Sequence, residues 1–255
     1  MKRNTEKMES IVKYDSKPEL VRPVVIEGLP GIGNVGKIAA DYLASALEAE
    51  RFASIYSQDF PPQVIVDEEN VADFARNELW FARAGNIDII FILGEYQGST
   101  PEGQFMISRE IVELLLEYDP SEIITLGGYG TGTLIEEPRV LGAVSRVEVR
   151  AAYEELGVVF EPGEPKGGIA GASAMFLALG QIYDIDSICL MGETAGYFID
   201  HKSAAAVMSI LVKKLGIEVD TEELDTHSAM IDELNQKIQE LESGRDSKEN
   251  LNYFG

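Results

Sequence analysis

Apolar residues fall along this chain in two rhythms. In one, they form short unbroken runs: VVIEG (24–28), IDIIFILG (87–94), EIITLGG (122–128) and SICLMGE (187–193). Runs of this length and composition suit strands buried on both faces of a sheet. In the other rhythm they recur every third or fourth residue. Val35, Ile38, Tyr42 and Ala46, with Ala39, Leu43 and Leu47 beside them, predict a helix over 34–48. Ile107, Ile111, Leu114, Leu115 and Tyr118 predict another, opened by Thr100 as N-cap and Pro101 in the first turn. GASAMFLALG reads as a small-residue helix, and SAAAVMSILVKKLG as a helix stopped by Gly216 at its C′ position. FASIY is a short strand, and QVIVD and NELWFAR are β-type runs around the polar turn DEEN, as in a hairpin or meander. RVLGAV is β-like, and EPGEPKGG is a loop.

Buried strands alternating with helices predict a three-layer α/β fold with a mainly parallel sheet over residues 1–218. No repeat of fixed period interrupts it. Beyond it the rhythm changes. Ile231, Leu234, Ile238 and Leu241 form a short heptad-like seam in Glu-rich sequence, which predicts a helix over 219–243. That seam suits either docking on its own domain or pairing between subunits. SGRDSKEN then predicts a flexible tail over 244–255, but the chain closes on LNYFG. Large apolar residues at the end of a solvated tether imply a partner.

Charge narrows the function classes. With 44 acidic and 21 basic residues the net charge is −23, which repels phosphate backbones and anionic lipid. Nucleic-acid and membrane partners are therefore not expected. The single cysteine, Cys189, excludes an internal disulfide and a cysteine zinc site, and no metal or cofactor is expected. MKRNTEKMES has no apolar leader region, so the expected location is cytoplasmic.

GIGNVGK (31–37) satisfies two phosphate-binding patterns at once. Gly31, Gly33 and Gly36 give the spacing of a dinucleotide loop, and Gly31 to Lys37 gives most of a P-loop. In the P-loop reading, Ile38 stands where a magnesium-holding hydroxyl belongs. In the dinucleotide reading, Asp59 is the one late candidate for the ribose partner, and Pro30 sits directly before the loop. The simpler reading is a strand turning sharply into a helix, where glycine supplies positive φ and close backbone approach. Four strands nonetheless end in small polar clusters, and in a parallel sheet those ends share one edge. Asn34, Lys37, Glu95, Gly130, Thr131, Glu193 and Thr194 are thus candidates to converge there with the glycines. Two carboxylates near a lysine suit acid–base chemistry or, equally, a structural ion pair.

GLPGIGNVG, LGEYQGS, GGYGTG and GETAGYFIDHKSAAAVMSIL followed by KKLGIEVD resemble, in this order, the archaeal and bacterial proteasome assembly chaperone family. The resemblance spans roughly 20–220. It implies an α/β fold related to nucleoside phosphorylases, a homo-oligomer, and a non-enzymatic role in assembling proteasome α subunits or the 20S particle. It also implies a partner-binding C-terminus, here Leu251, Tyr253, Phe254 and Gly255. Phe254 takes the place of the family's penultimate tyrosine. Some relatives are likened to ATP-grasp ligases. The alternative is therefore an enzyme with a ligand at the glycine edge, of ATP-dependent ligase or nucleoside phosphorylase or hydrolase type. A third reading makes that edge an assembly interface.

Overall fold

The computed structural model describes residues 10–219, residue 67 aside. In chain order the elements are β1 (Ile11–Tyr14), β2 (Val24–Glu27), α1 (Val35–Ala46), β3 (Glu50–Tyr56), β4 (Val64–Val66), β5 (Ala72–Phe74), β6 (Asn77–Ala84) and β7 (Ile87–Gly94). Then follow α2 (Pro101–Leu115), β8 (Glu122–Gly130), β9 (Val140–Val144), α3 (Val147–Glu154), α4 (Ala172–Ile182), β10 (Ser187–Thr194) and α5 (His201–Leu215).

Eight strands form one mixed sheet in the order β1-β3-β6-β7-β2-β8-β10-β9. Its central strands β7, β2, β8 and β10 are the unbroken apolar runs, and they pair in parallel. Antiparallel strands flank them on both sides, with β1, β3 and β6 at one edge and β9 at the other. The parallel character predicted for the whole sheet thus belongs to its centre. β4 and β5 pair with each other in a small separate sheet, whereas NELWFAR is β6, paired to β3 and β7. The glycines of GGYG continue β8 to Gly130.

Side chains alternate across the central strands and feed two cores. Val25, Ile90, Ile92 and Ile123 pack under α2 and α4, with Ile107, Ile111, Phe176 and Leu179. Ile26, Phe91 and Ile124, also fully buried, fill the other face, where α1 and α5 lie together. Burying a side chain of this size stabilises by roughly 1.5–3 kcal/mol, so each face is a substantial core. The helix ends follow local chemistry. Thr100 accepts from the Gly103 N–H at 3.0 Å, with Pro101 in the first turn. Asp200 caps α5 through the Ser203 N–H at 2.9 Å, and Gly216 ends it at φ +61°.

Candidate functional site

Because β7, β2, β8 and β10 run in parallel, their carboxyl-terminal ends share one rim, where open α/β sheets present ligand sites. The chain leaves β2 through Gly28, passes a short 3-10 turn over Ile32–Asn34 and enters α1. Gly33 (φ +63°) and Asn34 (φ +51°) occupy the left-handed region, which makes the turn tight enough.

Close packing explains most of the glycines in the double motif. A Cβ on Gly36 would stand 2.2 Å from the Leu126 carbonyl of β8, and one on Gly28 would stand 2.1 Å from the Ala40 side chain. A Cβ on Gly33 would meet the Thr194 hydroxyl at 2.9 Å. These glycines let α1 lie directly on β8 and bring the loop against the end of β10. Gly31 differs: nothing lies within 4 Å of where its side chain would be. Asp59, the ribose candidate, sits against Gly103 at the start of α2.

The predicted polar residues divide into separate groups. Lys37 donates to Asp41 and to Glu95, both at 2.8 Å, tying α1 to the end of β7. Burial alone lowers the Lys37 ammonium, but hydrogen bonds to the two carboxylates outweigh it and hold it above its ordinary value. Thr131 donates from its backbone and its hydroxyl to the Thr194 carbonyl, at 2.8 and 3.1 Å, joining β8 to β10 beside Gly130. The Gly33 carbonyl accepts from the Asp200 N–H at 2.9 Å, which holds the glycine loop to the start of α5. Asn34, Gly33, Thr131 and Thr194 are thus brought together at one rim.

Glu193 does not join Lys37. Strand alternation sends it to the α4 face along with Cys189 and Met191, while α1 covers the opposite face. There Arg139 grips it through Nη2 at 2.5 Å, Nε at 3.0 Å and the backbone N–H at 3.1 Å. The Arg139 hydrogen bonds hold the Glu193 carboxyl below its ordinary value, against the opposing effect of burial. Glu95 and Glu193, named together as carboxylates near Lys37, thus belong to two independent ion pairs, Glu95 with Lys37 and Glu193 with Arg139.

The rim contains a cavity of about 410 Å³, walled by Gly31, Gly128, Tyr129 and Ser173 and by the loop from Pro165 to Gly171. One hydrogen bond behind its wall stands Glu27, the last residue of β2 and wholly buried. Its Oε1 accepts from the Leu29 N–H at 3.0 Å, and its Oε2 accepts from the Ser173 hydroxyl at 2.9 Å. Burial pushes its carboxyl up to about 7, against those two hydrogen bonds and the nearby Leu126 backbone N–H. Cys189 also lines the cavity, and burial pushes its thiol up to about 12, which leaves it inert at neutral pH. Sequence reasoning passed over Glu27 and Ser173. The available signal was one carboxylate in the otherwise apolar run VVIEG.

Leu251, Tyr253, Phe254 and Gly255, and the seam Ile231, Leu234, Ile238 and Leu241, lie outside the described residues. Among the described residues no helix is long and apolar enough to cross a membrane, and no cluster of three metal-ligating side chains occurs.

Comparison with known proteins places this geometry. An uncharacterized protein of Methanocaldococcus jannaschii is 36% identical over 244 residues, spanning 92% of this chain and 93% of its own. The crystal structure of Pyrococcus furiosus PbaB, an archaeal proteasome activator, matches with a TM-score of 0.85 at 34% identity, covering 91% of this chain and 99% of that one. Pyrococcus furiosus PbaA, an archaeal homolog of proteasome-assembly chaperone, matches with a TM-score of 0.72 at 30% identity, covering 92% and 100%. The PAC2 family model matches residues 25–239, and with relatives this similar over nearly their whole length, the chain belongs to the PAC2 family.

Proposed function

We propose that this protein is a homo-oligomeric proteasome adaptor or assembly chaperone that docks on proteasome α subunits through Leu251, Tyr253, Phe254 and Gly255. The observation that carries this reading is the match to PbaB, an archaeal proteasome activator, across almost the whole of both chains. The division proposed with it sets an α/β body over 1–218, a helix over 219–243 and a tether over 244–255. One aromatic anchor on a tether binds weakly, because docking must order the tether. Several such anchors on one oligomer bind far more tightly through effective concentration. The charge of −23 adds attraction to basic pockets between α subunits, chiefly by speeding encounter. An adaptor of this kind works in the cytoplasm and needs no reaction, cofactor or metal.

The test is binding to purified archaeal α subunits and assembled 20S particles by the full chain and by a version ending at Asn250. Binding that is lost with the last five residues supports docking through the tail. Equal binding by both versions moves the interface to the α/β body, and no binding by either overturns the reading.

A further inference from the structure

The wall of the cavity at the sheet rim includes Ser173, hydrogen-bonded to the buried Glu27 behind it, a polar pair that a docking protein does not need. We propose that Ser173 and Glu27 form a nucleophile–base pair that cleaves small acyl esters in this cavity, an activity separate from proteasome docking.

The geometry supplies each part of such a site. Ser173 lines the cavity and is partly exposed, whereas the Glu27 carboxylate is shut away behind it at 2.9 Å. A base placed behind the hydroxyl draws its proton away from the cavity, which leaves the oxygen lone pairs facing an incoming carbonyl. Leu29, Ile32, Leu126 and Ile169 give the cavity apolar walls, and its volume of about 410 Å³ is within the range for small-molecule sites. Ser173 lies in the first turn of α4, an eleven-residue helix. First-turn N–H groups have no carbonyl one turn earlier to accept them, so those of Ser173 and Ala174 are available for a developing oxyanion. The Ala172 N–H is already taken, by the Gln97 side chain at 3.0 Å.

The hydroxyl has two acceptors within reach, Glu27 Oε2 at 2.9 Å and the Leu126 carbonyl at 3.1 Å, but only one proton to give. With Glu27 ionised, Ser173 donates to it and is primed. With Glu27 protonated, the acid donates to Ser173, which turns its own proton to Leu126 and loses its base. Both arrangements satisfy every polar group, so the pair is a titratable switch. Among the described residues, the groups facing Glu27 are the Leu29 N–H next to it, Ser173 from α4, the Leu126 backbone N–H from β8 and the Cys189 thiol from β10. Cys189 is neutral at this pH, so Glu27 is the group that titrates there.

The steps balance. Ser173 Oγ attacks the ester carbonyl carbon while Glu27 takes its proton. The tetrahedral adduct collapses to an acyl-serine, and the departing alkoxide takes a proton from water in the cavity, leaving an alcohol and hydroxide. Hydroxide then attacks the acyl-serine. As the second adduct collapses, Glu27, whose side-chain partner is Ser173 Oγ, returns its proton to that oxygen and the carboxylic acid departs.

The test is reaction of the full-length protein with a small fluorophosphonate, read by intact mass and peptide mapping. The expected result is one adduct per chain on Ser173, formed at a rate that rises with pH to a plateau with its midpoint near 7. Ser173→Ala abolishes the adduct. Glu27→Gln, which keeps the shape and both hydrogen bonds, slows it by about 100-fold or more. Circular dichroism melts on the same samples show whether each variant is folded. No adduct on wild-type protein, an adduct on another residue, or a folded Glu27→Gln variant reacting at the wild-type rate overturns the proposal. The assay uses no proteasome, so its failure and that of the docking reading are distinguishable.

Discussion

Glu27 at the end of β2 and Glu193 at the end of β10 project from the same face of one sheet, with β8 between them. Both are nearly inaccessible to solvent, yet their carboxyls shift in opposite directions. Glu193 faces a guanidinium, which stabilises its charged form more than burial opposes it. Glu27 faces only neutral donors, two backbone amides and a hydroxyl, which fall short of balancing its desolvation. Burial by itself therefore does not set the protonation state of a carboxylate here; the partner does. A buried charge with a cation holds structure, and a buried charge without one is left to titrate near neutrality.

The largest expected effect separates the two by pH. The Glu27 carboxyl is raised from 4.5 to about 7, so between those values the folded chain holds a proton that the unfolded chain has released. Stability from this group is full below 4.5 and is lost as pH rises through about 7. Relative to Glu27→Gln, wild-type protein should lose about 3 kcal/mol between about pH 5 and about pH 8, read by denaturant unfolding. Equal slopes for the two proteins would break the comparison. Next comes Arg139→Met, which strips Glu193 of its cation and makes it resemble Glu27. It should cost about 2 kcal/mol at neutral pH, below the full penalty of an unpaired buried charge because the Arg139 side chain is 42% exposed. That cost should shrink in acid, where Glu193 can accept a proton. Glu193→Gln should cost about 1.5 kcal/mol at neutral pH. Its sign is opposite to that at Glu27: a lowered carboxyl contributes stability above its unfolded value and loses it as pH falls through the folded one. The smallest effect is at Lys37. Its partners Asp41 and Glu95 are 42% and 56% exposed, so a double-mutant cycle of Lys37→Met with Glu95→Gln should give a coupling of about 0.5 kcal/mol. A coupling several times larger would restore Lys37 as a candidate for chemistry.

Much of the fold was legible because its information is local. The central strands are apolar without interruption since both faces are buried, and α2 announces its start through Thr100 and Pro101. The flanking strands were harder to read. β1 is short and half-polar at an open edge, so it carries little pattern. The run VIV pairs with ADF rather than with NELWFAR, because β6 finds better partners in β3 and β7 on either side. α3 is short, with only Val149 and Tyr153 buried, too few to mark a helical period.

The sequence by itself determined which runs are strands, that four of them end in small polar clusters, and that glycines allow a sharp passage from β2 into α1. Only the tertiary structure decided which polar residues meet. Glu27 is satisfied by Ser173, 146 residues away, and Glu193 by Arg139, 54 residues away. The physical reason is that strand pattern and turn geometry are written in neighbouring residues, whereas the partner of a buried charge is set by strand order and by the face to which alternation sends it. For that reason Lys37 and Glu193, both predicted at one rim, stand on opposite faces of the sheet, and Glu27, read as part of a buried strand, lies directly behind the cavity.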